Sequence, residues 1–204
     1  MPLAIRRTKR LATLAGLLAL TLSAAPPAHA QSLWQFEAGS DGASVTMERQ
    51  HAQFGLFCGT RSRTKKGYLA LTVWIGRKHP DYARVADDVS RVLKLRGPNL
   101  PKEDVGTISL YADGRHMAFI PGSENPVRVL RGAEDPKGML FAVDVDLGTF
   151  DFPEFRDMIR AIARARTKAS AMLVTVNGET LIPLPIDGAY KAISKLEDAC
   201  DIFY

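Results

Sequence analysis

The chain has 204 residues, with 27 basic and 22 acidic side chains, a formal net charge of +5 and two cysteines. Four of those bases (Arg6, Arg7, Lys9, Arg10) fall in the first ten residues, so the remainder carries 23 against 22, a net of +1. A body this close to neutral gives no electrostatic case for nucleic acid, and its length suits one domain with its own core.

Residues 1–30 read as a secretory signal peptide. A basic start is followed by the apolar run LATLAGLLALTLSAA and then by PPAHA, with small residues at Ala28 and Ala30. Cleavage is expected after Ala30. The apolar run is shorter than the roughly 18 to 20 residues that span a bilayer, so no stable membrane insertion is expected after cleavage. Residues 31–204 are then a single domain in the periplasm, a compartment that oxidises thiols.

Along that domain, ASVTMER alternates after a turn at SDG, QFGLFCG follows, and GYLALTVWIG has the aromatic and branched content of a central strand. Between the last two lies TRSRTKKG, a basic exposed turn that includes Lys65 and Lys66. In HPDYARVADDVSRVLKLRGP the residues Tyr82, Val85, Ala86, Val89, Val92 and Leu93 recur at helical spacing, with Asp81 as a candidate cap and a Gly-Pro stop. A hairpin turning at Asp113-Gly114 and two strands, PVRVLRG and GMLFAVDVD, come next. DFPEFRDMIRAIARART predicts an amphipathic helix capped by Asp151, with Phe155, Met158, Ile159 and Ile162 as its apolar stripe. SAMLVTVNGETLIPLPI predicts a hairpin about Asn177-Gly178, and a last helix capped by Asp187 buries Ala189, Ala192, Ile193 and Leu196. Seven or eight strands with few helices give an α+β class of mainly antiparallel, sandwich-like strands.

Only one intramolecular bridge is open to two cysteines, Cys58 to Cys200. It would fasten the C-terminal helix to an early strand; two free buried thiols are the alternative. A redox-catalytic pair would favour neighbouring thiols such as C-x-x-C, which are absent from the sequence.

Chemistry-bearing patterns are sparse. G-x-S-x-G, G-x-x-x-x-G-K-[ST] and H-E-x-x-H do not occur, and His51, His79 and His116 have no helical ligand spacing, so neither a metal nor a cofactor is expected. Asp144 and Asp146 share one face of a strand, where two carboxylates can bind a cation or move protons; plain solvent exposure of alternating residues is the competing reading. Arg156, Arg160 and Arg164 recur every four residues and form a basic stripe that, with Lys65 and Lys66, offers a surface to an anionic partner.

An early Trp34, a cysteine on a strand, a long aromatic strand ending in VWIG, an amphipathic segment and a strand pair leading into LPIDGAYKAISKLEDAC form an ordered series. The series resembles small periplasmic proteins of the type VI secretion-associated accessory family, and invasion-associated locus B proteins share a similar outline. The resemblance is fullest from the last hairpin to the final helix and extends in part to FGLFCGT through VWIG; residues 80–135 look like an insertion or divergence. It implies that the family cysteine pair falls at Cys58 and Cys200, and that the protein is a non-enzymatic periplasmic one whose partners are envelope proteins. The leading expectation is thus an accessory protein that docks on an envelope or secreted protein through a sheet edge or the Arg156/Arg160/Arg164 face. The alternatives are a hydrolase-type enzyme using Asp144, Asp146 and His116, and a carrier with an apolar cleft for a small ligand.

Overall fold

Ten strands and three helices are present among the residues described by a computed structural model, which are 33–62, 64, 66–96, 105–118, 127–133 and 135–200. The leader with its cleavage point, Lys65 and the Gly97-Pro98 stop lie outside the described residues.

Six strands form one antiparallel sheet: β1 (Trp34–Gly39), β2 (Gly42–Arg49), β3 (Ala52–Thr60), β4 (Gly67–Gly76), β7 (Arg128–Arg131) and β8 (Gly138–Asp146), in the order β1-β2-β3-β4-β8-β7. Alternation along each strand sends one set of side chains to the core. Val45 and Met47 of β2, Phe54 and Leu56 of β3, Leu69, Leu71 and Val73 of β4, and Phe141 and Val143 of β8 are all buried there. A second antiparallel sheet of β5 (Thr107–Ala112), β6 (Arg115–Ala118), β9 (Ala169–Thr175) and β10 (Gly178–Leu184) runs in the order β10-β9-β5-β6. Its Ile108, Leu110, Leu173 and Ile182 join the same apolar cluster.

The helices complete that cluster. α1 (Tyr82–Arg96) contributes Val85 and Val89, α2 (Phe152–Ala163) contributes Phe155, Ile159 and Ile162, and α3 (Ala189–Ala199) contributes Ala192, Ile193 and Leu196. Antiparallel strands in two sheets with helices on a shared core are the expected α+β, sandwich-like class. Cys58 on β3 is bonded to Cys200 at the end of α3, with Cα atoms 6.1 Å apart and 142 positions between them in sequence. α3 also lies against β1 and β2, and the Trp34 indole N–H donates to Pro185 O at 2.6 Å, tying the first strand to the approach of the last helix.

Several local expectations change. Ten strands are present among the described residues rather than seven or eight, and β1 was not foreseen. Asp151 sits at the N-cap of α2 but in helical conformation (φ −79°, ψ −14°) and makes no side-chain capping bond; a capping side chain needs an extended residue to reach back. α3 is capped by Gly188 in left-handed conformation (φ 80°) rather than by Asp187. The first hairpin turns at Asp113-Gly114 as expected, with φ of 50° and 80°, the pair of left-handed residues that a two-residue turn between twisted strands needs. The second turns at Val176-Asn177, because Thr175 pairs with Gly178. There Asp88 of α1 accepts from both the backbone N–H and the side-chain amide of Asn177 and from Thr175 Oγ1, so a tertiary contact places the turn.

Candidate functional site

The inward residues of β4 and β8 go into the core, which leaves Tyr68, Ala70, Thr72 and Trp74 of β4 and Ala142, Asp144 and Asp146 of β8 on the outer face of the six-stranded sheet. Register puts Ala70 opposite both Phe57 and Asp144, and Thr72 opposite both Gly55 and Ala142. The centre of that face is therefore a row of small residues. Gly55 fits closely there: a Cβ at this position would lie 2.5 Å from Thr72 Oγ1, so a larger residue would have to displace that side chain. A concavity of about 1200 Å³ opens over Ala70, Thr72 and Ala142 of that row and runs to the turn ends and the Cys58–Cys200 bridge.

One wall of the concavity is a charged clamp. Asp144 is only 7% exposed, and its two carboxylate oxygens each face an arginine: Oδ2 accepts from Arg61 Nη2 and Oδ1 pairs with Arg128 Nη2. Arg61 also donates through Nε to Asp146 Oδ1, and its guanidinium lies over the Tyr68 ring, 4.7 Å from the centroid. A carboxylate removed from water is costly unless charge-paired, and two arginines meet that need. β7 supplies Arg128 through its pairing with β8, and the turn after β3, closed by Arg61 N–H donating to Lys66 O at 2.8 Å, supplies Arg61.

The expected residues are distributed as follows. Asp144 and Asp146 do share a face, but Arg61 bridges them, and Arg128 pairs with Asp144, so they are not an open pair of carboxylates. His116 lies on β6, in the other sheet, stacked on Tyr111 at 4.5 Å, and does not line the concavity. His51 is on the turn after β2. His79 Nδ1 accepts from Asp81 N–H at 3.2 Å; its pKa is lowered by burial first and by the charge of His51, against the opposing pull of Asp81. Among the described residues no group of three or more His, Cys, Asp or Glu is placed to hold a metal ion. No helix among them is long and apolar enough to cross a membrane.

The arginine stripe on α2 is partly committed within the fold. Arg160 donates through Nε to Glu197 Oε1 of α3 at 3.0 Å, joining the two helices, and Arg156 lies 3.6 Å from its neighbour Asp157. Arg164 is exposed at the C-cap. The sequence reading missed the clamp arginines as a pair. TRSRTKKG marked the region of Arg61 as basic and PVRVLRG placed Arg128 on a strand, yet nothing local joins either to Asp144.

A second polar cluster holds α1 down. Asp88 is 1% exposed beneath the β9–β10 turn, and Arg84 donates to Thr180 Oγ1 at 2.7 Å and to Glu179 O at 2.9 Å. Burial pushes the Asp88 carboxyl up, but hydrogen bonds from Thr175 and Asn177, with the Arg84 charge, more than offset it and leave its pKa below the ordinary value. Its groups satisfy one another and fasten helix to sheet.

Comparison with family models, curated proteins and solved structures finds no match to this chain.

Proposed function

We propose that the protein is a periplasmic, non-enzymatic binding domain. It is delivered by its signal peptide and acts by docking on an envelope or secreted protein through the outer face of the six-stranded sheet. The observation that carries this reading is the concavity over Ala70, Thr72 and Ala142, walled by Phe57, Tyr68 and the Arg61–Asp144–Arg128 clamp. The apolar faces of both sheets and all three helices are used up in the core, so this hollow is a shaped surface that packing alone does not require. Carboxylates already neutralised by arginine suit holding a partner better than moving protons. The α2 stripe is a weaker contact surface, because Arg160 is engaged by Glu197.

The test is crosslinking of the tagged protein in cells, with Thr72→Arg to fill the hollow and Arg164→Glu to reverse the exposed end of the stripe. The proposal expects one crosslinked protein that disappears with Thr72→Arg and persists with Arg164→Glu, both variants keeping the wild-type circular dichroism. The same crosslinked product from wild type and Thr72→Arg would overturn it.

A further inference from the structure

We infer that the protein pairs with a second copy of itself along β1, Phe36 opposite Phe36 across a two-fold axis, so that two six-stranded sheets join into one. The inference goes beyond the docking proposal and stands without it.

A strand at the edge of a sheet offers a row of unpaired N–H and C=O groups, and proteins blunt such edges with short strands, charge, irregular register or proline. Among the described residues the two sheets end in β1, β7, β6 and β10. β7 has four residues, a register shift between Val129 and Arg131, and arginine at both ends. β6 also has four residues. On β10, Thr175 and Gly178 close the turn, so Glu179, Leu181 and Pro183 direct their backbone groups outward. There Arg84 donates to Glu179 O at 2.9 Å, and Pro183 has no N–H to offer. β1 has none of these devices. Its six residues run in unbroken register with β2, without proline, and Glu37 is the one charge among them. Its turn closes on Gly39 and Gly42, so by the same alternation Phe36 and Ala38 direct N–H and C=O away from β2. No backbone bond from another described element reaches them.

The side chains select the occupant. Phe36 and Ala38 point to the core side, yet Phe36 is half-buried and Ala38 is exposed, because the sheet stops there. Lys195 lies over the Phe36 ring from that side, 5.6 Å from its centroid, and makes no described hydrogen bond to the strand. Gln35 and Glu37 are exposed on the outer face, where their cross-strand partners are Thr46 and Ser44. Antiparallel pairing centred on Phe36 sets ring beside ring and sets Ala38 beside Trp34 of the second copy, small against large. On the outer face it sets each Gln35 beside Glu37 of the second copy, at positions where opposed side chains stand closest. The Gln35 amide can there donate to the Glu37 carboxylate. Moving the centre one residue toward the turn would oppose Glu37 to Glu37. In the Phe36 register the strand is complementary to itself, as an isologous two-fold contact requires. The axis stands perpendicular to the sheet, so the outer faces of both copies point to the same side.

Sedimentation equilibrium reads the association, using protein expressed from the full chain and purified with its bridge formed. A six-residue edge is small beside a permanent dimer interface, so a reversible dimer that forms as concentration rises is expected. Gln35→Glu sets two pairs of like charges across the axis and should weaken association roughly fivefold; Gln35→Lys sets two opposite pairs and should strengthen it by about the same factor. Thr46 and Ser44 are neutral, so the difference reads the contact between copies rather than one within a chain. Adding Glu37→Lys to Gln35→Glu should restore association at least to the wild-type level, and salt should shrink these differences. Gln35 is exposed, and circular dichroism checks that each variant keeps the wild-type fold. A monomer at every concentration reached, or a dimer that Gln35→Glu and Gln35→Lys affect alike, overturns the inference.

Discussion

Asp113 shows how much one side chain can organise. From the tip of the β5–β6 turn its carboxylate accepts from the backbone N–H groups of Arg166 and Thr167, and from the Thr167 hydroxyl at 2.8 Å, joining the hairpin to the loop between α2 and β9. Those hydrogen bonds hold its pKa far below the ordinary carboxylate value of 3.8, and Asp88 is also lowered, its hydrogen bonds outweighing burial. A carboxyl lowered in the folded state contributes stability that is complete above the unfolded value and is lost as pH falls through the folded one. The protein should therefore hold its denaturation midpoint down to roughly pH 4 and lose it progressively below. Asp113→Asn keeps a residue that tolerates the positive φ but removes the charge, so it should lower stability at neutral pH and flatten the acid limb. Urea titrations at stepped pH read both effects; an acid limb as steep as wild type would remove Asp113 from the account. Sequence showed Asp113 as a turn residue and Asp144 and Asp146 as neighbours on one face. It could not show what they bind, because the partners arrive from far along the chain: Arg61 is 83 positions from Asp144 and Arg166 is 53 from Asp113.

At the scale of elements, α3 is held by several independent contacts. It buries Ala189, Ala192, Ile193 and Leu196, lies against β1 and β2, and receives Arg160 of α2 on Glu197. The bridge to β3 then fastens its end, where a terminal helix would otherwise fray. Closing a loop of that length restricts the unfolded chain, so replacing both cysteines by alanine should cost about 4 to 5 kcal/mol, an upper figure for such bonds. Hydrogen exchange should place the first loss in the last turn of α3, with the β9–β10 pairing protected as before; uniform loss across both sheets would mean that the bridge has no special hold on the helix. The elements themselves were largely legible, since α2 and α3 follow from apolar residues at helical spacing and β4 from its branched and aromatic run. Their ends were less so: the β9–β10 turn is placed by Asp88, which lies 89 positions before Asn177, and Gly188 starts α3 where a capping Asp187 was expected.

For the molecule as a whole, the segment from 80 to 135 decides what kind of domain this is. In the sequence it stood apart as an insertion or divergence, because the resemblance carried by the flanking motifs does not reach it. The fold instead draws α1, two strands of the second sheet and an edge strand of the first from it: β5 pairs with β9, β7 pairs with β8, and Val85 and Val89 of α1 enter the common core. If α1 were a lid, its loss would leave the rest standing. With Val89 at 1% exposure and Asp88 beneath the β9–β10 turn, α1 should instead unfold with the sheets. Val89→Ala should then lower the stability of the whole domain by about 2 kcal/mol, the usual scale for a truncated core side chain. Circular dichroism and tryptophan fluorescence should follow one coincident denaturation curve in wild type and variant alike. Both tryptophans, Trp34 and Trp74, belong to the six-stranded sheet, so their fluorescence reports that sheet and not α1. A variant whose helical signal melted early while tryptophan fluorescence kept the wild-type midpoint would make α1 an appendage after all. A shared shift would show that α1 belongs to one cooperative unit with the six-stranded sheet.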